Sequence, residues 1–228
     1  MAVILNIDTS TTICSVALAI DGKSVACKEN NEGLNHSILL GCSVDELLKE
    51  NQLTVSHLDA VAVSMGPGSY TGLRIGVSLA KGLCFGANIP LIAVPTLQAL
   101  AQSVANELQE DALYCPMIDA RRMEVYTAVY DRHNQTIIDT CAEIIHEASF
   151  AELLSNQKVF FFGNGSQKVK NTITSPNAHF LEGIETSARH MTLLADQLFE
   201  KQKFVDVAYF EPFYLKDFIA TTPKQKVI

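Results

Sequence analysis

No apolar run in this 228-residue chain is long enough to cross a bilayer, which argues against a helical membrane protein. No basic segment or small-residue cleavage site precedes the opening "AVILNI", so a secretory leader is not expected. Positive charge is scarce. Seventeen Lys and Arg stand against 25 Asp and Glu, for a net charge of −8 and a pI of about 5.2. A stand-alone nucleic-acid binder would show a basic footprint, although work on RNA beside a basic partner stays open. The cysteines (Cys14, Cys27, Cys42, Cys84, Cys115, Cys141) never form CxxC, which points to packed, reduced thiols in a cytoplasmic protein rather than a disulfide or zinc framework. The histidines (His36, His57, His133, His146, His179, His190) include no pair at metal-ligand spacing. His146-Glu147 opens like a zinc-protease motif, but Phe150 stands where the second histidine belongs. No G-x-S-x-G nucleophile elbow is present.

What remains is a chain 48% apolar and 18% charged, enough for a sizeable packed core. "VILNIDTS", "ICSVALAI" and "KSVACKEN" read as three strands, the last two joined by the hairpin signal Asp21-Gly22. A helix follows over 35–50, apolar on more than one stripe, which suggests a second packing partner. "DAVAVSM" is a strand, 70–85 a helix, "PLIAV" a strand and 96–108 a helix. The order βββαβαβα is that of a ribonuclease-H-like unit. A second β-rich series begins at "ALYCPMIDA", continues through "MEVYTAVYD", "QTIIDTCAEII" and "KVFFFGNGS", and closes with a helix over 187–203 capped by Ser187. Two tandem α/β units with mixed sheets are expected. The polar stretch "QSVANELQED" places the boundary near 102–112, giving units over 1–104 and 105–228, with the C-terminal segment packing back on the first. The tail "TTPKQKVI" reads as frayed.

The glycine-rich stretch "SMGPGSYTGLRIG" at 64–76 lies between a strand and a helix. A dinucleotide site would need an acidic residue at the end of the next strand, yet no Asp or Glu lies between Gly66 and Glu107. No Gly-Lys-Ser/Thr follows, so this is not a Walker loop. Gly72, Gly76 and Ala80 recur every four residues, and glycine inside a helix costs about 1 kcal/mol relative to alanine. Close approach of a second helix is the expected compensation. Ser69 is the expected N-cap. Asp8 at the end of the first strand either positions magnesium, with Thr9 and Ser10 holding phosphate, or only caps a turn. Gly163-Asn164-Gly165 either presents amides to a nucleotide or is a tight turn. The cluster Asp119, Arg121, Arg122, Glu124 reads as a structural ion-pair network.

"IDTS" at 7–10, "NHSILL" at 35–40, "GPGSYTGLRIGVSLAKGL" at 66–83, "PTLQAL" at 95–100, "DARRMEVY" at 119–126 and "FGNG" at 162–165 resemble the bacterial TsaB (YeaZ) family. The resemblance runs through both halves and implies the actin/Hsp70-like ATPase fold. It also implies a role in forming threonylcarbamoyladenosine beside the anticodon of tRNAs reading ANN codons. The implied partners are the catalytic paralogue TsaD and the ATPase TsaE, with a homodimer when TsaD is absent and tRNA met indirectly through the complex. TsaD carries two metal-binding histidines in the segment that here reads "VPTLQALAQ", so the resemblance is to a non-catalytic scaffold without a metal site. Its partner interface is expected over helices 35–50 and 70–84, at His36, Leu39, Leu40, Ser69, Gly72, Leu73, Gly76 and Ala80. No cofactor is required on this reading. The rival is a nucleotide-binding or ATP-hydrolysing enzyme using ATP or ADP with Mg at Asp8, Thr9, Ser10, Gly163, Asn164 and Gly165. A glycoprotease-like peptidase is disfavoured, since no nucleophile or metal set supports it.

Overall fold

The computed structural model describes residues 1–31 and 35–216, so the tail "TTPKQKVI" lies outside the described residues. The first unit comprises β1 (Val3–Asp8), β2 (Cys14–Ile20), β3 (Lys23–Asn30), α1 (His36–Glu50), β4 (Ala60–Gly66), α2 (Tyr70–Ala87), β5 (Leu91–Pro95) and α3 (Thr96–Leu108). The second comprises β6 (Leu113–Asp119), β7 (Glu124–Tyr130), β8 (Thr136–Ile144), α4 (Ala151–Asn156), β9 (Val159–Phe162), β10 (Ala178–Phe180) and α5 (Thr192–Glu200). The β2–β3 hairpin turns on Asp21 and Gly22, both left-handed at φ +48° and +71°, as Asp-Gly turns require.

The two sheets share one topology. The first runs β3-β2-β1-β4-β5 and the second β8-β7-β6-β9-β10. In each, the first three strands form an antiparallel meander and the last two join parallel to the first strand. β1 pairs from Val3↔Ile20 to Asp8↔Ser15 on one side and from Ile4↔Ala60 to Ile7↔Val63 on the other. It is covered on both faces, which explains its nearly unbroken apolar run. This is the duplicated ribonuclease-H-like arrangement of the actin/Hsp70-like fold.

The helices tie the units together. α1 and α2 cover one face of the first sheet, with Leu40, Val44, Leu47, Val77 and Cys84 against Leu5, Ile7, Val16, Leu18 and Val63. α3 crosses over: Leu97, Leu100, Ala101 and Val104 pack on Tyr114, Ile118, Ala128, Tyr130 and Phe162 of the second sheet. α5 crosses in the opposite sense. Leu194 and Ala195, with Met191 before them, pack on Ile4, Ala60, Ala62, Ile92 and Val94 of the first sheet. Each unit therefore completes the other's core.

One expected helix differs. The segment read as one helix over 187–203 begins as a 3-10 turn, Ala188–Met191, and α5 ends at Glu200. Tertiary hydrogen bonds hold the tighter turn. Ser15 Oγ accepts from the Ala188 amide at 2.9 Å, and Glu29 Oε1 accepts from Ser187 Oγ at 2.5 Å and from Arg189 Nε at 3.0 Å. Ser187 still caps, accepting from the Arg189 amide at 3.2 Å. Among the described residues no helix is long and apolar enough to cross a membrane.

Helix exchange predicts one cooperative unfolding transition. Far-UV dichroism and tyrosine fluorescence should report the same urea midpoint, and Leu100→Ala or Leu194→Ala should each destabilise by about 2–5 kcal/mol without separating the two probes. Two resolved transitions would show that the halves fold independently.

Candidate functional site

The strand-end turns of both sheets face each other across a cleft of about 730 Å³. On the first side, β1 ends at Asp8, which is buried and accepts from the Ser10 amide through Oδ1 at 2.8 Å. On the second side β6 ends at Asp119, which accepts from the Arg121 amide at 3.0 Å in the same way. Both carboxylates thus cap the turn that follows.

The first turn is seated on α2. Thr9 Oγ1 donates to the Gly72 carbonyl at 2.7 Å, and the Ser69 amide donates to the Ser10 carbonyl at 2.6 Å. A Cβ on Gly68 would run into the Ser10 carbonyl, one on Gly72 into the Thr9 carbonyl and one on Gly76 into Thr9 Oγ1. The close approach inferred from the glycine spacing is real, but the neighbour is the chain's own β1–β2 turn rather than a partner's helix. The residues expected at a partner interface lie as follows within the chain. His36, Leu40, Gly72, Leu73, Gly76 and Ala80 are all buried within the chain, His36 with Nε2 at 3.0 Å from the Thr11 carbonyl. Leu39 is half-buried, and only Ser69 is exposed, capping α2 by accepting from the Gly72 amide at 3.2 Å. What α1 and α2 do present outward is Ile38 and Phe85, 69% and 85% exposed, together with Gly41, Gly82 and Gly86, around which there is open space.

The second turn repeats the solution with other residues. The Gly165 amide donates to the Met117 carbonyl at 3.0 Å, and Asn164 Oδ1 accepts from the Asp119 amide at 2.9 Å. Gly163 sits at φ +92°, where a Cβ would collide with the Met117 carbonyl. Gly163–Gly165 is therefore a turn fastened to β6, and the Gly165 amide is spent there. Of the six residues proposed for nucleotide, Ser10 and Asn164 line the cleft. The Thr9 hydroxyl and one Asp8 oxygen are already engaged within the first turn.

The charged cluster differs from the expected network. Asp119 pairs with Lys168, which also donates to the Glu124 carbonyl at 2.6 Å, and Glu124 pairs with Lys216. Arg121 and Arg122 have no ion-pair partner among the described residues, and both hold a left-handed backbone at φ +73° and +50°. The C-terminal segment, expected to pack back on the first unit, also enters here. The Phe213 amide donates to the Met65 carbonyl at 2.7 Å, the Tyr214 ring lies 4.7 Å from that of Tyr70, and Arg74 Nε donates to Tyr214 Oη at 3.2 Å.

Burial pushes the Cys14 thiol up to about 11, with nearby Asp8 a lesser cause, so it is an inert packing group. Burial also lowers His190 below its ordinary value of 6.5, against the opposing pull of Asp8. Among the described residues no group of three or more His, Cys, Asp or Glu is arranged to hold a metal ion.

Known proteins resemble the chain along its length. The model of the family described as TsaD, tRNA N6-adenosine threonylcarbamoyltransferase, matches residues 32–224. The tRNA threonylcarbamoyladenosine biosynthesis protein TsaB of Escherichia coli K12 is 34% identical over 226 residues, covering 95% of this chain and 96% of that protein. The solved structure of YeaZ from Pseudomonas aeruginosa superposes with a TM-score of 0.81 at 29% identity, covering 94% of this chain and all of that one. The activator of 2-hydroxyisocaproyl-CoA dehydratase from Clostridium difficile, at TM-score 0.52 and 11% identity, shares the fold alone.

The glycine geometry predicts opposite signs at two helix positions. Gly82→Ala, in open space, should stabilise by about 0.5–1 kcal/mol through helix propensity. Gly76→Ala should destabilise by about 1–3 kcal/mol through overpacking. Thr9→Ala removes the colliding hydroxyl and leaves the next atom at 3.5 Å, so Gly76→Ala should be harmless in that background; equal cost in both, by thermal melting, would refute the contact. For His190 the lowered folded value means the unfolded chain takes up the proton first. Its contribution to stability is full above pH 6.5 and falls as pH drops below it, and His190→Asn should flatten that slope in denaturant titrations.

Proposed function

We infer, since the chain belongs to the TsaB (YeaZ) family of tRNA threonylcarbamoyladenosine biosynthesis proteins, that it serves that pathway as a non-catalytic scaffold. Its partner is a TsaD-type paralogue, held through the outward faces of α1 and α2. A TsaE-type ATPase joins the assembly, tRNA is met through the complex, and the same faces pair two copies when the paralogue is absent.

The observation that carries this reading is the outward face itself. Ile38 and Phe85 expose large apolar side chains, and Gly41, Gly82 and Gly86 leave room for another backbone to approach. Burying exposed apolar groups against a partner removes them from water, and small residues between them permit close helix packing. α3 agrees with a non-catalytic role: the positions following β5 are Leu97, Leu100 and Ala101, packed on the second sheet.

Phe85→Asp and Ile38→Asp should each weaken association with the paralogue by about tenfold or more while leaving the melting temperature close to that of the parent. Co-purification measures the first, and tRNA modification reconstituted from purified parts, with and without this chain, measures its consequence. Undiminished binding by the Phe85→Asp, Ile38→Asp pair would place the interface elsewhere. Modification at full rate without the chain would end the scaffold reading.

A further inference from the structure

We propose that an internal water molecule, bound between Asn6, Ser64 and His190, seats the 3-10 turn Ala188–Met191 on the first sheet. Asn6 and Ser64 are both fully buried. β1 and β4 run parallel in the register Asn6↔Ala62, so the side chains of Asn6 and Ser64 leave the sheet on one face, with those of Ile4, Ala60 and Ala62. Met191 of the turn, Leu194 and Ala195 of α5 and Ala99 of α3 cover that face. His190 precedes Met191, and the turn packs on β1, β2 and β4. Asn6 Oδ1, Ser64 Oγ and His190 Nδ1 are buried atoms with no hydrogen-bond partner among the described residues. Leaving each of them unpaired is costly, and three in one layer call for a shared partner.

The donors and acceptors balance. Asn6 Nδ2 donates to the Ile4 carbonyl at 3.2 Å and to the Ala17 carbonyl at 3.5 Å. Carbonyls only accept, so the amide oxygen is the end left over. The residues paired with Asn6 on the adjoining strands are Ala17 and Ala62, whose methyl groups leave room beside the amide. Burial lowers His190 below its ordinary value of 6.5, so the ring is neutral near pH 7 and Nδ1 accepts while Nε2 carries the hydrogen. One water then satisfies all three groups. It accepts from Ser64 Oγ and donates one hydrogen to Asn6 Oδ1 and the other to His190 Nδ1. Three partners is the usual number for a buried water. Beside it the Ala188 amide donates to Ser15 Oγ at 2.9 Å, on the neighbouring strand β2. The point where the chain returns from the second unit to the first sheet is thus fixed by directional hydrogen bonds as well as by apolar packing.

A high-resolution crystal structure of the chain tests this directly. An ordered solvent peak about 2.7–3.2 Å from all three atoms is expected, and a site without one overturns the proposal. Melting curves test the energetic side. Ser64→Ala takes a partner from the water and should lower the melting temperature by about 2–8 °C. In a dry site the same change would remove an unpaired hydroxyl, and an unchanged or raised melting temperature would overturn the proposal. Asn6→Val removes the amide oxygen. Ser64→Ala and Asn6→Val together should lose clearly less than the sum of the two single losses, although the two side chains share no direct hydrogen bond. Strictly additive losses would count against a shared water. Should Asn6→Val fail to fold, His190→Phe takes its place in the cycle with the same expected outcome. All of these measurements use the chain alone, so their result is independent of the scaffold reading.

Discussion

Much of the molecule depends on the seat of Thr9 on α2. The Thr9 carbonyl lies where a side chain on Gly72 would be, and its hydroxyl both donates to the Gly72 carbonyl and fills the space beside Gly76. A methyl group at either glycine would lift the helix off the sheet and separate Thr9 from Gly72 and Ser10 from Ser69. The height of α2 over the sheet is therefore set by two missing side chains. That height puts Ser69 at the mouth of the cleft and leaves Phe85 and Gly82 pointing away from the core.

The second unit meets the same constraint with different residues. The Met117 carbonyl and the Ile118–Asp119 backbone replace the first turn's carbonyls, and Gly163 and Gly165 replace Gly68 and Gly72 as the positions without side chains. Asp8 and Asp119 are counterparts, each ending the first strand of its sheet and capping the turn two residues on. The likeness stops after the glycine turn. Where the first unit continues into the 18-residue α2, the second has only the 3-10 turn Gln167–Val169. Among the described residues the second unit thus has no counterpart of α2 and its outward face.

Local signals in the sequence were legible. The strand order, the Asp21-Gly22 hairpin, the Ser69 cap and the bounds of α3 rest on patterns a few residues long, and the structure agrees with them. The glycine stripe was half legible. Spacing shows that something approaches the helix closely, but a partner's backbone and the chain's own turn leave the same mark in sequence. Burial separates them, and burial is a property of the whole fold. Gly82 carries no clash and Gly76 does, though both are glycines of one helix. The lysines that neutralise Asp119 and Glu124 come from 49 and 92 residues away, and no local pattern links them. That the C-terminal segment packs back is an expectation of the sequence, but which of its residues dock is not legible there, because Phe213 and Tyr214 lie in irregular chain without periodicity.

That segment completes the argument about rigidity. Val205 bridges to Leu91 at the edge of the first sheet, Lys81 donates to the Ala208 carbonyl at 3.0 Å, and Lys216 reaches Glu124 in the second unit. It runs beside α2 and crosses the cleft, so it adds a third tie to the two exchanged helices. Units joined in this way have little freedom to move separately. α2 is about 27 Å long at 1.5 Å per residue, with its first turn in the cleft and its outward face along the body. The seat of Thr9 on Gly72 and Gly76 fixes that rod against the turn after β1 along its first two turns, so its position is set at the cleft end.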